Sequence, residues 1–153
     1  MKIEPAGQEL FITRAFEAPC ELVFKAWTDA KHMARWWGPK GYTNPLCELD
    51  VRPGGAILIH MQSPQGVVIP IKGTFEEIVA PERLVFYLSN FEDQAGAPQL
   101  EIRNTVRFEQ QGSKTKVSLH ALILKATPAV AASLAEMEEG WNQSLDRLVE
   151  ALA

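Results

Sequence analysis

The pattern of apolar and polar positions changes period three times along the chain. In "ELFITRAF", residues 9–16, Leu10, Ile12 and Arg14 alternate against Phe11, Thr13 and Ala15, the two-residue period of a strand. "APCELVFKAW" then places Leu22, Val23, Ala26 and Trp27 at helical spacing, with Pro19 in the first turn and Glu21 where the positive helix end favours an acid. Thr28 is positioned to cap a second short helix, "DAKHMARWW", which Gly38-Pro39 stops. From Thr43 to about Leu124 the period returns to two. "CELDV", "AILIHMQ", "VVIPIKGTFEEIV", "RLVFYLS", "LEIRNTVRFEQ" and "TKVSLHALIL" read as six further strands, mostly antiparallel because their connections are short. Pro70 marks an edge, a bulge or a strand start, since it cannot donate to a ladder. In "RPGG", Pro53 supplies a fixed φ and Gly54 or Gly55 a positive one. "NFEDQAGAPQ" is the one longer loop between strands.

The last segment is the most regular. Thr127 caps, Pro128 takes the first helical position, and Val130, Leu134, Met137, Trp141, Leu145, Leu148 and Leu152 step by three or four nearly to Ala153. A single helix of some 25 residues, roughly 37 Å long, is expected, and so amphipathic a rod must lie across a sheet. Gly140 within it suggests close packing against a neighbour or a kink. The predicted architecture is α+β: a curved seven-stranded antiparallel sheet with helices on one face, two of them short and placed between strands 1 and 2.

Composition narrows the function classes. The 153 residues are 46% hydrophobic and 22% charged with a net charge of −4, an ordinary globular composition. That length suits one domain, taken as 1–153. Lysines and arginines are scattered without aromatic interleaving, which argues against nucleic acid as a partner. No apolar stretch is long enough to span a bilayer and no apolar leader opens the sequence, so the expected location is cytoplasmic, without membrane. Cys20 and Cys47 lack paired spacing and read as free thiols.

Candidate chemistry is sparse. His32, His60 and His120 have no metal-ligand spacing, no GxSxG occurs, and "RPGGA" is a hairpin turn rather than a phosphate loop. Cys20 lies near a helix N-terminus, where a thiol pKa can fall, yet on a buried face, where it is inert. Glu76-Glu77 and the glutamates at 136, 138 and 139 read as solvated carboxylates. No metal, cofactor or catalytic residue is therefore assigned. Two features remain. Asn104 shares a strand face with Ile102, Val106 and Phe108, which makes it an amide on the concave apolar side: a satisfied structural amide, a rim residue or a ligand-orienting group. In "ARWWGPKGYT", Trp36 and Trp37 point about 100° apart, so they cannot share one buried position. Either one is core and the other covers a cavity mouth with Tyr42, or both pack at the rim.

The stretches "FEAPCELVFKAWTDAKHMARWWGPKGYT", "CELDVRPGGAI", "GTFEEIVAPERLVF" and "EEGWNQSLDRLVEAL" together resemble the homologues of the activator of heat-shock protein 90 ATPase, in the START-like, polyketide-cyclase-like superfamily. The resemblance runs from about residue 9 to 152. It implies a helix-grip fold, a sheet wrapped around the long C-terminal helix with an apolar cavity between them. Relatives include co-chaperones, lipid carriers, hormone receptors and aromatase/cyclases. The expectation is a domain binding a hydrophobic small molecule, monomeric or homodimeric. The alternatives are a co-chaperone-like module whose partner is a chaperone, or a cyclase or hydrolase using the same cavity; the balance leans away from an enzyme. Under that fold the side chains expected to line the cavity are Trp36, Trp37, Tyr42, Ile59, Met61 and Phe86 from the first half. Asn104, Leu134, Met137, Trp141 and Leu145 are expected from the second.

Overall fold

A computed structural model describes residues 7–152. The elements run β1 (Glu9–Phe16), α1 (Cys20–Thr28), α2 (Ala30–Trp36), β2 (Thr43–Leu49), β3 (Ala56–Gln62), β4 (Val68–Val79), β5 (Arg83–Glu92), β6 (Pro98–Gln111) and β7 (Lys114–Ala126). A 3-10 turn (Pro128–Val130), α3 (Ala131–Ala135) and α4 (Met137–Leu152) complete the chain. The sheet is antiparallel throughout, in the order β1-β7-β6-β5-β4-β3-β2. Register shifts at Thr43/Leu46, Phe75/Glu77 and Glu101/Ile102 bend it, and the helices lie against its concave face.

The strand parity was legible. Ile12 and Phe16 of β1 point inward, and the half-buried Arg14 between them reaches Asp146 of α4 at 2.5 Å. His120 lies on the outer face, 3.0 Å from Glu9 and stacked on the exposed Phe11. The "RPGG" turn uses both glycines. Gly54 has φ +83, while a Cβ on Gly55 would sit 1.8 Å from the Asp50 carbonyl oxygen.

Several local expectations are corrected. The side chain that caps α2 is Asp29, not Thr28: its carboxylate accepts from the backbone N–H of Lys31 and His32, and these bonds, His32 foremost, lower its pKa. The Thr28 hydroxyl instead donates back to the Phe24 carbonyl. Thr127 directs its hydroxyl to Gln99 rather than to the helix. Leu22, at helical spacing, is exposed. β2 spans Thr43–Leu49 and leaves Val51 outside, exposed. β5 and β6 extend into the supposed long loop and leave a short turn closed by Asp93 and Ala97.

The largest correction concerns the C-terminal helix, which bends at Glu136 (φ −93, ψ 0) instead of running unbroken. The core has two clusters. One is built around Trp27 and Trp36, with Leu145 and Leu148 of α4. The other joins Val130 to Leu100, Ile102, Ala121 and Ile123. The bend falls where the chain passes from the second to the first, with Gly140 N–H still bonded to the Glu136 carbonyl at 2.9 Å.

Candidate functional site: an apolar cavity between two core clusters

The space between the two clusters is not filled. It forms a partly open cavity of about 220 Å³. Its floor comes from the sheet, with Ile71 of β4, Leu88 and Asn90 of β5, and Ile102 and Asn104 of β6. Its roof is Met137, Gly140, Trp141 and Ser144 of α4, and its side is the turn carrying Trp37, Gly38 and Tyr42, with Met61 of β3. Glu136, at the helix bend, is the one charged residue of the lining among the described residues, and it is exposed.

Two amides interrupt this apolar surface. Asn104 is 1% exposed, and neither its Oδ1 nor its Nδ2 meets a hydrogen-bonding partner among the described residues. Its cross-strand neighbours are Phe86 and Ala121, which have no side chain that can hydrogen-bond. Asn90 Oδ1 is likewise buried without a partner. Just beyond it, Phe91 has φ 58, a left-handed conformation uncommon for a bulky side chain. The last pairing of β4 with β5 on this side is Ile71 with Asn90, so Val68–Pro70 pair with β3 alone. Pro70 therefore sits on a local edge, as its missing N–H requires.

The tryptophan pair divides its labour. Trp36 is fully buried, and its indole N–H donates to the Ala26 carbonyl at 2.9 Å. Trp37 is 6% exposed and borders the cavity edge-on to Trp141, ring centroids 5.3 Å apart. All four tryptophans touch, since Trp27 stacks on Trp141 at 5.9 Å and tilts against Trp36 at 4.7 Å. Gly38 has φ +97, a conformation that favours glycine, and a Cβ there would lie 2.8 Å from Met61 Sδ, so a larger residue would also displace that flexible side chain.

The turn after Trp37 is held from α4. Arg147 Nη1 donates to the carbonyls of Trp37, Gly38 and Pro39 at 2.9, 3.0 and 3.2 Å. Ser144 Oγ accepts from Gly38 N–H at 3.0 Å, and Gln143 Oε1 from Lys40 N–H at 3.0 Å. Burial lowers the Arg147 pKa, but the site supplies carbonyl partners for the charge. Arg147→Ala is expected to lower the unfolding free energy by about 2 kcal/mol, read from the urea midpoint. Arg147→Lys should recover only part of this, because an ammonium can serve the carbonyls that Nη1 holds but not also the Arg35 carbonyl, which takes Nη2 at 3.2 Å.

Gly140 is less constrained than its position in the sequence suggests. A Cβ there would meet only Pro39 Cγ, at 3.8 Å, so no close approach requires glycine. Gly140→Ala should raise stability by about 0.5–1 kcal/mol, seen as a higher melting temperature.

Of the residues expected to line a cavity, Trp37, Tyr42, Met61, Asn104, Met137 and Trp141 border this one. Trp36 and Leu145 are core. Ile59 and Phe86 face a void of about 10 Å³ beneath Trp37, too small for a ligand. Leu134 faces a shallow crevice beside Leu10 of β1, because the bend turns α3 away. Asn90 and Phe91 went unnoticed in the sequence; the even parity shared by Leu84, Phe86, Leu88 and Asn90 was the available signal.

The remaining candidates are structural. Cys20 is buried, its thiol pKa raised by burial, and it donates to the Pro81 carbonyl at 3.2 Å. Burial pushes the Cys47 thiol from 9.0 to about 11. The unfolded chain releases that proton first, so stability from this group is lost as pH rises from about 9 to 11. Cys47→Ala should flatten the fall in melting temperature across that window. Among the described residues no cluster of potential metal ligands occurs, and no helix is long and apolar enough to cross a membrane.

A strand, two short helices, six strands and a terminal helix gripped by a curved antiparallel sheet define the helix-grip class. The chain belongs to the family described as Activator of Hsp90 ATPase homolog 1-like protein, whose model matches residues 17–153. Solved structures with the same fold include a Nitrosomonas europaea protein at 26% identity and TM-score 0.77, covering 94% of this chain and 93% of that one. An Arthrobacter aurescens protein follows at 24% identity and TM-score 0.81, over 94% and 85%. A Silicibacter pomeroyi protein bearing the family's name matches at 22% identity and TM-score 0.77, over 95% and 97%. No curated protein matches the sequence significantly.

Proposed function

We propose that this protein binds a small, largely apolar molecule in the cavity between β4–β6 and α4, as one cytoplasmic domain. The observation that carries this reading is Asn104. An amide that is 1% exposed and has no partner for either polar atom among the described residues costs about 1–3 kcal/mol to keep. It stands on the wall of an otherwise apolar cavity, where a bound molecule would pair it. Trp37, Tyr42, Met61, Met137 and Trp141 supply the apolar contact. Binding, rather than catalysis, is the activity these groups support, because the charged side chain of the lining, Glu136, is exposed at the helix bend rather than buried in the cavity. Thermal denaturation against a library of apolar metabolites and against a purified heat-shock protein 90 type chaperone tests the proposal. Stabilisation by one or more metabolites is expected. A shift with the chaperone alone would overturn it in favour of a co-chaperone role.

A further inference from the structure

The same cavity restricts the chemistry of what it can hold. Resting on the binding reading above, we propose that its ligand is small and neutral and carries a hydrogen-bond donor and acceptor side by side, as the edge of an amide, lactam or imide does. That edge pairs with Asn104.

Three observations converge. Asn104 lines the cavity with both Nδ2 and Oδ1 buried and unpaired among the described residues. These are a donor and an acceptor in one plane, and only a partner offering the converse pair satisfies both at once. An ether, ester or ketone satisfies Nδ2 and leaves Oδ1 bare; a hydrocarbon leaves both bare. Charge is the second restriction. Among the described residues no lysine, arginine or histidine lines the cavity, so a carboxylate would lose its hydration without a counter-charge. Glu136 could meet a cation only at the exposed bend, away from Asn104's buried wall. Size is the third. About 220 Å³ lies under the roughly 300 Å³ at which pockets for drug-sized ligands begin, so a sterol or a long acyl chain would extend beyond it.

Asn90 adds a direction. Asn104 pairs with Phe86, and Asn90 lies four residues further along β5 on the same face, about 13 Å away at strand rise. Its open Oδ1 accepts only, so the far end of the ligand either carries a donor or falls short of it. The left-handed Phe91 follows immediately, and a strained residue held beside a cavity is common where a ligand is bound.

Calorimetric titration with three bicyclic molecules of one shape separates these terms. Dihydrocarbostyril is a lactam with donor and acceptor adjacent, dihydrocoumarin is the lactone with the acceptor alone, and tetralin has neither. The lactam is expected to bind at least about tenfold more tightly than the other two. Asn104→Leu should erase that preference while leaving tetralin binding equal or improved. Equal affinity for all three in the unaltered protein would overturn the donor–acceptor edge and leave the cavity reading standing; so would a lactam preference that survives Asn104→Leu. Should none of the three bind at millimolar concentration, the cavity reading falls as well. The ratio among the three in the unaltered protein decides the matter even if the leucine variant fails to fold.

Discussion

Asn104→Leu is expected to stabilise the ligand-free protein by about 1–3 kcal/mol while removing its ability to discriminate among ligands. Leucine is close to asparagine in size and shape. Its neighbours across the strands are Phe86 and Ala121, and along β6 they are Ile102 and Val106, so it enters an apolar setting. The gain comes from relieving an amide that has no protein partner. Chemical denaturation measures it. A destabilised leucine variant would mean that Asn104 is satisfied in the folded protein and is a structural amide, the bland reading open to it from the sequence. Stability gained together with selectivity lost is the signature of a residue retained for binding.

The adjacent tryptophans give the second large contrast. Trp36→Ala should cost about 3–5 kcal/mol, because it removes a fully buried ring, its tilted contact with Trp27 and its bond to the Ala26 carbonyl. Trp37→Ala should cost less, about 2 kcal/mol, since its ring already borders open space and deletion extends an existing cavity. Ligand affinity should move the other way, falling with Trp37→Ala and remaining close to unchanged in a folded conservative variant such as Trp36→Phe. Equal stability losses with unaltered binding would assign both rings to packing.

Much of this architecture was visible in the residue pattern, because each strand presents one face to the side of the sheet that the helices cover. Ile57, Ile59 and Met61, or Ile102, Asn104 and Val106, follow a period that two-sided sheets impose. The terminal helix was harder. Its apolar stripe is continuous from Val130 to Leu152, and no residue in it breaks a helix outright. The bend at Glu136 falls where the chain passes from one core cluster to the other. That juncture is tertiary and leaves no local mark. The same holds for Leu134, apolar and correctly spaced, yet turned away from the cavity by that bend. The clamp on the Trp37–Pro39 turn was also out of reach, since Arg147 lies more than a hundred residues further along the chain. For "RWW" itself, helical geometry required that two rings diverge but could not choose between them. The choice is made by Ala26, whose carbonyl takes the Trp36 indole.

The most direct test of the cavity uses the tryptophans it sits among. In nitrogen-edited NMR spectra the four indole N–H groups give four signals, and tetralin supplies apolar shape without hydrogen bonds. Saturable shifts of the Trp37 and Trp141 signals are predicted, with Trp36 moving least because its N–H is committed to the Ala26 carbonyl. Unchanged Trp37 and Trp141 signals at saturating tetralin would contradict the account.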